Sequence, residues 1–343
     1  MPNGTQKKKK KGWAVVLMVL AILIVLLFLT VYFLFLHYYN KATYVPDEKA
    51  DAESHPVVYP SDIPDDVIDE IEDYTLSPDE EKRIDDEIKD VEPADTLDLR
   101  GIYSVLLIGS DRRTPTWHGN SDVMLLVTIN DNTKTIYMTS FMRDLYANIP
   151  GFGGNRLNSA FALRGAPLLI DTIQQNYGVV IDNYAIVDFE GIKAIIDTLG
   201  GIDITLKEYE LPAFKSYGFT EAKTYHMNGA QALTYARIRK LGYYDFERTS
   251  RHRTVLRAML NNVKAAGILN LPKTVDSVLP YTTHNIGQGK MLKLMTGAVK
   301  YFKYDIVEYR VPEDKSYYEV NYVMIPNDMG QLIDGIRSRI YAR

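Results

Sequence analysis

The feature that most constrains this chain is an uncharged, strongly apolar run near its N-terminus. Residues Trp13–Leu36 contain no charged side chain, and five lysines, Lys7–Lys11, precede them. At about 1.5 Å per residue, a helix of this length extends about 36 Å, enough to cross a hydrocarbon layer of about 30 Å. Because flanking lysines stay on the cytoplasmic side, we expect a single-pass anchor in the cell membrane, with a cytoplasmic N-terminus and the later residues extracellular.

A cleaved signal peptide is the alternative explanation of this run. Its apolar core would have about 7–15 residues and would be followed by a small-x-small cleavage site. The observed run is longer and continues into the aromatic and polar residues His37–Asn40. These differences favour an uncleaved anchor.

Charge divides the remainder of the chain. Residues Asp47–Asp98 contain 21 Asp or Glu but only 4 Lys or Arg, together with several prolines. This composition indicates a solvated spacer, in which the capping box Ser77–Glu80 predicts one helix near residues 78–90. The expected organisation is a basic cytoplasmic tail (1–12), a transmembrane helix (13–36), an acidic extracellular linker (37–97) and a folded domain (98–343).

The folded domain has alternating strand and helix patterns. The predicted strands are Ile102–Gly109, Asp122–Asn130, Thr135–Ser140, Asn183–Asp188 and Ile202–Leu206. The predicted helices are Ala166–Tyr177, Phe189–Leu199, Asn228–Tyr235, Phe246–Ala266 and Lys290–Phe302. This alternation predicts the α/β class, as a layered α-β-α domain with a mixed central sheet in which Thr135–Ser140 is an edge strand.

Polar side chains cluster where the predicted strands end. The chain of 343 residues has no cysteine, which excludes a disulfide scaffold, a Cys-ligated zinc site and a catalytic thiol. Asp111 follows the first strand and Asp122 begins the next, and two neighbouring carboxylates suit a hard cation such as Mg²⁺. The alternative is that both side chains make hydrogen bonds within turns or caps.

Arginine is dense between residues 237 and 257, where six arginines occur. If the backbone is extended, Arg237 and Arg239 point in the same direction. The predicted extracellular location argues against nucleic acid as the partner, so we expect a lipid-linked phosphate as the anion. The apolar stretches Pro167–Ile173 and Ile192–Leu199 either line a groove for a lipid tail or pack in the core.

The helix predicted over Phe246–Ala266 is expected to have a core-facing side that begins with basic residues. That side consists of Arg248, His252, Leu256 and Leu260. Cations near a helix N-terminus oppose the helix dipole, so a bound phosphate or pyrophosphate is expected to compensate them. Arg253 and Arg257 are expected on a solvated basic surface.

About 150 residues resemble the LytR-CpsA-Psr family. The matching segments, in the family's order, are LLIGSDRR, SDVMLLVTIN, TSFMRDLYANIPG, NRLNSAFALRGAPLLIDTI, IDNYAIVDFEGIKAIIDTLGGIDI, MNGAQALTYARIR and DFERTSRHRTVL. The resemblance implies an extracytoplasmic phosphotransferase. Such an enzyme moves an anionic glycopolymer, teichoic acid or capsule, from a polyprenyl-pyrophosphate carrier to peptidoglycan, with Mg²⁺ as cofactor.

The resemblance also implies roles for individual residues. Those matching the magnesium ligands are Asp111 and Asp122. The candidate catalytic residues are Arg143, Asp144, Arg237, Arg239 and Arg248. The candidate substrate-binding residues are Arg112, Arg156, Arg251 and His252.

Three positions depart from the family pattern. Asn120 stands where an Arg is often found, Met142 replaces a Pro, and His252 replaces a common Gln. These changes leave the chemistry in place but put substrate affinity and acceptor choice in question. Two alternative functions remain open. The protein either hydrolyses polyprenyl pyrophosphate, or it is a non-catalytic binding or regulatory protein that senses a lipid-linked polymer.

Overall fold

A computed structural model of the protein describes residue 33 and residues 35–46, 76–89, 97–110, 119–238, 244–266, 276, 278–321 and 323–343. For residues 244–249, 260, 263, 264 and 266, only the backbone is described. The predicted cytoplasmic tail, nearly all of the predicted transmembrane helix and most of the predicted linker lie outside these ranges. Within these ranges, none of the helices combines the length and apolar composition needed to cross a bilayer.

Strands and helices alternate along the described chain, as the sequence predicts. The strands are β1 (Thr43–Tyr44), β2 (Ile102–Ser110), β3 (Ser121–Asn130), β4 (Thr135–Phe141), β5 (Tyr146–Ile149), β6 (Gly153–Arg156), β7 (Asn183–Asp188), β8 (Ile202–Thr205), β9 (Thr224–Met227), β10 (Thr282–His284), β11 (Asp305–Val311), β12 (Tyr317–Val320) and β13 (Val323–Pro326). The α-helices are α1 (Pro78–Lys89), α2 (Leu157–Tyr177), α3 (Phe189–Thr198), α4 (Gly229–Ala236), α5 (Tyr244–Ala266), α6 (Gln288–Tyr301) and α7 (Met329–Ile340). A 3₁₀ helix covers Glu208–Tyr217.

Seven strands form a mixed central sheet in the order β1-β10-β7-β2-β3-β4-β11. The pairs β1–β10, β2–β7 and β4–β11 are parallel, and the other neighbouring pairs are antiparallel. β2, β4, β7 and β11 therefore run in one direction, opposite to β1, β3 and β10. The predicted α/β class and mixed sheet are confirmed.

The prediction that the strand Thr135–Ser140 lies at the edge of the sheet is wrong. That strand is β4, and β11 pairs with it in parallel on its outer side. The sequence of β11 alternates apolar residues with Asp305, Glu308 and Arg310, so it lacks the continuous apolar run of a buried strand. As an edge strand, β11 tolerates charged side chains because water can solvate them.

The predicted helices are confirmed with shifted ends. The helix predicted over Ala166–Tyr177 is the second half of α2, which begins earlier, at Leu157. The two halves meet at a kink where Gly165 has φ = 70°, a left-handed conformation that favours glycine. At α4, the Asn228 side chain accepts a hydrogen bond from the Gln231 amide, which explains where that helix begins.

One face of the central sheet is fully buried. Leu106, Ile108 and Leu126 are at most 2% exposed and belong to one apolar cluster. The cluster also includes Phe161 of α2 and Ile336 of α7. Full burial of each such side chain stabilises the fold by roughly 1.5–3 kcal/mol, so this interface holds the sheet and its helices together.

Helix α1 packs on the same face. It falls within the predicted acidic linker, and Ser77 caps it by accepting a hydrogen bond from the Glu80 amide at 3.3 Å, as the capping box predicts. Ile84 is only 1% exposed and joins the main apolar cluster. The Glu87 carboxylate accepts a hydrogen bond from the Met329 amide at the start of α7. This part of the predicted linker therefore packs on the folded domain.

A second apolar core lies between α3, α4, α5 and the ribbon β8–β9. Ile196, Ile202 and Phe214 are fully buried in it. Ile196 belongs to one of the two stretches considered for a lipid groove, and Ile173, in the other, is fully buried in the first core. For both stretches, packing in the core is therefore the correct alternative.

The opposite face of the central sheet is only partly covered. Val105, Leu107 and Val127 are half-buried, whereas their neighbours in sequence are buried. Because side chains alternate along a strand, these three residues share one face. Helix α6 approaches this face, where the Lys290 ammonium lies 4.2 Å from the centre of the Tyr103 ring. The sheet thus presents a partly open apolar surface on this side.

Candidate functional site

Polar side chains collect along one edge of the central sheet, as predicted. β2, β4 and β7 end at this edge, and β3 begins there because it runs antiparallel to β2 and β4. We call the edge where β2, β4 and β7 end and β3 begins the polar edge. In α/β proteins, ligands commonly bind at such strand ends.

A β-bulge places Asp122 at the polar edge. Gly109 is the register partner of Val123, but Ser110 is the partner of Ser121, so Asp122 is an extra residue on β3. A Cβ atom at Gly109 would lie only 2.8 Å from the Val123 Cβ, and glycine therefore permits the close approach. Bulges often redirect a side chain beside a functional site.

Arg143 bridges two carboxylates at the polar edge. Its Nη1 lies 3.6 Å from Asp122 Oδ1, and its Nε donates a hydrogen bond of 3.0 Å to Asp144 Oδ2. Arg156, at the end of β6, places its Nη1 3.8 Å from Asp144 Oδ1. The structure therefore brings together four of the predicted site residues in an alternating series of carboxylates and guanidinium groups.

Backbone hydrogen bonds fix the segment that carries Arg143 and Asp144. The Met142 amide donates to the Val311 carbonyl at 2.9 Å, and the Met324 amide donates to the Asp144 carbonyl at 2.7 Å. The amide of Asn158, at the start of α2, donates to the Arg143 carbonyl at 3.1 Å. Since strands and a helix hold this segment from three sides, its two charged side chains are preorganised.

The series of charges is well shielded from water. The side chains of Asp122 and Asp144 are each 6% exposed, Arg156 is 12% exposed and Arg143 is 19% exposed. Charge interactions are stronger in such an environment than in bulk water. Planar guanidinium groups also match the geometry of phosphate oxygens, so the arrangement suits recognition of a phosphorylated group.

Helix α5 reaches the same site. Asp122, Ser140, His252 and Arg253 line a cavity of about 10 Å³, room for about one water molecule. His252 is buried, and its Nε2 lies 3.2 Å from the carbonyl oxygen of Ala236 at the end of α4. The predicted substrate-binding residue His252 therefore links the Asp122 side of the site to the end of α4.

The prediction that Arg253 is solvated is wrong. Arg253 is half-buried beside Asp122, and its Nη1 has no hydrogen-bond partner among the described residues. Burial lowers the pKa of this guanidinium, and the nearby Arg310 lowers it further. Arg257, in contrast, is exposed and donates a hydrogen bond of 2.9 Å to Glu308. Arg253 is thus a site residue that the sequence analysis missed.

The core-facing side of α5 also differs from the prediction. Arg251, His252 and Val255 are the buried residues, whereas Leu256 is half-buried. The side chains of Arg248 and Leu260, which complete the predicted face, are not among those described. The buried side of α5 is therefore shifted around the helix axis from the predicted side, because the charged side chain of Arg251 faces the core.

Arg251 lies in a buried ion pair rather than at the polar edge. Its side chain and that of Glu210 are each 2% exposed, and Arg251 Nε donates a hydrogen bond of 2.8 Å to Glu210 Oε1. Arg251 Nη1 also donates to the carbonyl of Ile238 at 3.1 Å. Arg251 therefore holds the backbone next to Arg237, and its predicted role in substrate binding stays a prediction.

Arg237 is exposed at the end of α4. Its guanidinium lies 4.4 Å from the centre of the Phe189 ring, which directly follows β7. The backbone at Arg237 has φ = −92° and ψ = 4°, so the extended conformation considered for residues 237–239 does not occur there. The Phe189 contact places Arg237 near the end of β7, on the polar-edge side of the sheet.

Several predicted site residues lie outside the described ranges. They are Asp111, Arg112 and Arg239. Arg248 lies in α5, where only its backbone is described. The arrangement of these side chains stays a prediction.

Oxygen donors suited to a hard cation occur beside Asp122. Across the described ranges, no group of three or more His, Cys, Asp or Glu side chains surrounds a common point. The Ser121 hydroxyl, however, is fully buried and has no hydrogen-bond partner among the described residues. Ser121 directly precedes Asp122 in the chain, and hydroxyl and carboxylate oxygens both fit the oxygen-ligand preference of Mg²⁺.

Comparison with known proteins reveals relatives of similar sequence. Residues 72–332 match the LytR_cpsA_psr family. Regulatory protein MsrR of Staphylococcus aureus is 32% identical over 225 residues, covering 64% of this chain and 68% of MsrR. Biofilm regulatory protein A of Streptococcus mutans is 36% identical over 187 residues, which span 48% of this chain and only 44% of that relative. The polyisoprenyl-teichoic acid–peptidoglycan teichoic acid transferase TagU of Halalkalibacterium halodurans is 32% identical over 160 residues, or 46% of this chain and 52% of TagU.

Solved structures share the fold. Protein gbs0355 of Streptococcus agalactiae superposes with a TM-score of 0.59 at 26% identity, covering 70% of this chain and 87% of that one. YwtF (TagT), a LytR-CPS2A-psr family protein with bound octaprenyl pyrophosphate lipid, superposes with a TM-score of 0.54 at 22% identity, covering 70% and 90%. The family match covers most of the chain and includes β2, β3, β4 and β7, the strands whose ends form the polar edge. The chain therefore belongs to the LytR_cpsA_psr family.

Proposed function

We propose that this protein is an extracytoplasmic phosphotransferase that moves an anionic glycopolymer from a polyprenyl-pyrophosphate carrier to peptidoglycan. The family assignment supports this proposal, as do the name of the TagU relative and the lipid bound in the YwtF structure. The observation that carries it is the shielded series Asp122–Arg143–Asp144–Arg156 at the polar edge. A diphosphate is the ligand that such an arrangement of guanidinium groups suits best.

The partly open face of the central sheet supports a lipid carrier. Half-buried Val105, Leu107 and Val127 lie on this face, and Val123 extends it to the residue beside Asp122. At about 3.4 Å per residue, the half-buried positions Val123 and Val127 of β3 are separated by roughly 14 Å. An isoprenoid chain on this surface would bring its diphosphate to the polar edge.

Mg²⁺ is part of the proposal. Asp122 would hold it together with Asp111, because the family resemblance matches these two residues to magnesium ligands. Mg²⁺ bound there would neutralise charge on the diphosphate oxygens. The buried, unsatisfied Ser121 hydroxyl supports a polar ligand at this position.

The proposed reaction is an in-line displacement at phosphorus. A hydroxyl oxygen of the acceptor sugar forms a bond to the phosphorus that carries the glycopolymer. The bond from that phosphorus to the bridging oxygen breaks, and polyprenyl phosphate leaves with the bond's electron pair. Arg143, Arg156 and Arg237 would stabilise the charge that spreads over the phosphate oxygens, and Arg239 and Arg248 are proposed to join them.

Asp144 is proposed to position arginines. It contacts both Arg143 and Arg156, so its carboxylate aligns the two guanidinium groups. The proton lost by the acceptor hydroxyl would pass to another carboxylate or to water. His252, which contacts the end of α4 beside Arg237, is proposed to orient that arginine toward the diphosphate.

A reconstituted transfer assay tests this function. The full chain would be incubated with a lipid-linked glycopolymer and Mg²⁺, with and without peptidoglycan, and the products separated. We expect covalent polymer–peptidoglycan product and an equal amount of polyprenyl phosphate, both lost when Mg²⁺ is chelated.

Two other outcomes would contradict the transferase proposal. Release of free polymer at the same rate with and without peptidoglycan would identify a hydrolase. Binding of the lipid-linked polymer without turnover would identify a binding or regulatory protein, a possibility raised by the names of MsrR and Biofilm regulatory protein A.

A further inference from the structure

Most of the exposed large apolar side chains among the described residues belong to two segments of the chain. Of the ten large hydrophobic residues that are exposed among those described, seven belong to the N-terminal segment or to residues 281–299. On the first of these segments, Tyr44 and Val45 are 42% and 40% exposed. On the second, Tyr281 is 45% exposed, and α6 follows it. Contiguous exposed apolar surface usually marks an interaction site.

Helix α6 presents an apolar stripe to solvent. Leu292, Met295 and Val299 are exposed, and their spacing of three and four residues places them on one face of the helix. None of the helix's residues is fully buried. The opposite side of the helix carries Lys290, which contacts the Tyr103 ring of the sheet, and Lys300 pairs with Asp131, in the turn between β3 and β4, at 2.8 Å. The apolar stripe therefore faces away from the domain.

The N-terminal segment joins the domain directly beside α6. Residues 35–39 are helical, and the Tyr39 hydroxyl donates a hydrogen bond of 3.1 Å to the carbonyl of Ile286, two residues before α6. Tyr44 pairs with His284 in the parallel ladder β1–β10. The sequence predicts that residues 13–36 span the membrane, so the chain would leave the bilayer next to α6.

The charge of this region matches an anionic lipid surface. Residues 288–303 contain four lysines and no acidic residue: Lys290, Lys293, Lys300 and Lys303. An amphipathic helix with an apolar stripe and flanking lysines is typical of helices that lie in a membrane interface. Lysines close to a bilayer are attracted by anionic headgroups.

We propose that the exposed face of α6, with the adjoining β1, docks on the outer surface of a bilayer that contains anionic phospholipid. This proposal rests on the proposed membrane anchor and is independent of the transfer reaction. Asp131, which α6 contacts, lies at the opposite end of β3 from Asp122. Because Asp131 and Asp122 are separated by about the length of β3, roughly 30 Å, docking through α6 would leave the polar edge within about that distance of the membrane.

Site-specific labelling of the full chain tests this proposal, because the protein has no cysteine of its own. Leu292→Cys, Met295→Cys and Val299→Cys would each carry an environment-sensitive fluorophore. The matched control is Tyr217→Cys, since Tyr217 and Met295 are each 38% exposed and Tyr217 lies on the 3₁₀ helix of the second core. Each protein would be reconstituted in nanodiscs of phosphatidylcholine and phosphatidylglycerol that contain a spin-labelled quencher lipid.

We expect the three α6 labels to lose about half or more of their fluorescence to the quencher lipid, and the label at residue 217 to lose less than about a tenth. Equal quenching at all four positions, whether weak or strong, would overturn the proposal. Shielding of the α6 labels without lipid quenching, together with energy transfer between labels, would instead identify a second copy of this chain as the occupant. Circular dichroism would check that each labelled protein is folded.

A charge-reversal pair tests the lipid chemistry. The exposed lysines Lys293 and Lys303 would be replaced by Glu in the Met295→Cys protein, and Lys215→Glu, at an exposed position elsewhere, is the control. When Lys293 and Lys303 are replaced, we expect quenching of the label at residue 295 to fall to the value seen in nanodiscs of pure phosphatidylcholine. In the Lys215→Glu control, we expect the quenching of that label to be unchanged. Identical quenching in all three proteins would overturn the role of anionic lipid. Both readouts are independent of polymer transfer, so they separate this proposal from the proposed function.

Discussion

Replacement of Arg143 by Ala is expected to lower the rate of polymer transfer by about 100- to 1,000-fold, the usual cost of losing one preorganised donor to a developing charge. Arg143 is the residue that contacts both Asp122 and Asp144, so its loss removes positive charge from the centre of the polar edge. The rate would be measured in the reconstituted transfer assay with saturating lipid-linked polymer.

Two variants serve as controls for Arg143→Ala. Arg143→Lys keeps the charge but loses the planar fork, so we expect an intermediate rate. Arg257→Ala removes an exposed arginine of α5 that pairs with Glu308, and we expect it to transfer polymer at the unaltered rate. An Arg143→Ala protein that is folded by circular dichroism and transfers polymer at a normal rate would remove Arg143 from the proposed site.

Replacement of Arg251 by Met is expected to lower the free energy of unfolding by about 3–5 kcal/mol. The change leaves the Glu210 carboxylate buried without its guanidinium partner, and it deletes the hydrogen bond to the Ile238 carbonyl. Urea unfolding of the full chain in detergent micelles, followed by circular dichroism, would measure the loss.

The double variant Glu210→Leu with Arg251→Met separates a structural role from a substrate-binding role. Because it removes both charges, we expect it to regain most of the stability that the single variant loses. If Arg251→Met instead leaves stability unchanged and abolishes binding of the lipid-linked polymer, Arg251 contacts substrate, as the family resemblance implied.

The helices and the inner strands could be predicted because their local signals agree with the tertiary structure. β2 and β3 are continuous apolar runs, and α4 begins at the capping residue Asn228. The polar edge was also predictable, since Asp122 lies at the start of β3, Arg143 follows the end of β4, and these two strands are antiparallel neighbours. In these places, patterning over a few residues decides the structure.

Other features depend on contacts between residues distant in sequence. β11 is an edge strand whose charged residues hide its periodicity, so its pairing with β4 could not be predicted. The ion pair Arg251–Glu210 joins residues 41 positions apart, and it determines which side of α5 is buried. Arg253 was assigned to solvent because a basic residue on a helix is usually exposed, whereas the cavity beside Asp122 encloses it.

Two arginines of α5 differ in their surroundings from what the sequence predicts. Arg251 lies in a buried ion pair with Glu210, and Arg253 joins the side chains around Asp122. Both residues lie on α5, where eight charged or polar residues in succession, Glu247–Thr254, give no reliable apolar periodicity. Only the packing of α5 against the sheet and the second core distinguishes the two arginines.

A crystal structure of the full chain with Mg²⁺ and a non-hydrolysable polyprenyl-pyrophosphate analogue tests the central claim most directly. We predict diphosphate oxygens within about 3 Å of the Arg143 guanidinium, the distance of a charge-assisted hydrogen bond. The isoprenoid carbons should lie along Val105, Leu107 and Val127. A diphosphate bound elsewhere on the protein, with Asp122, Arg143 and Arg156 making no contact to it, would contradict the account.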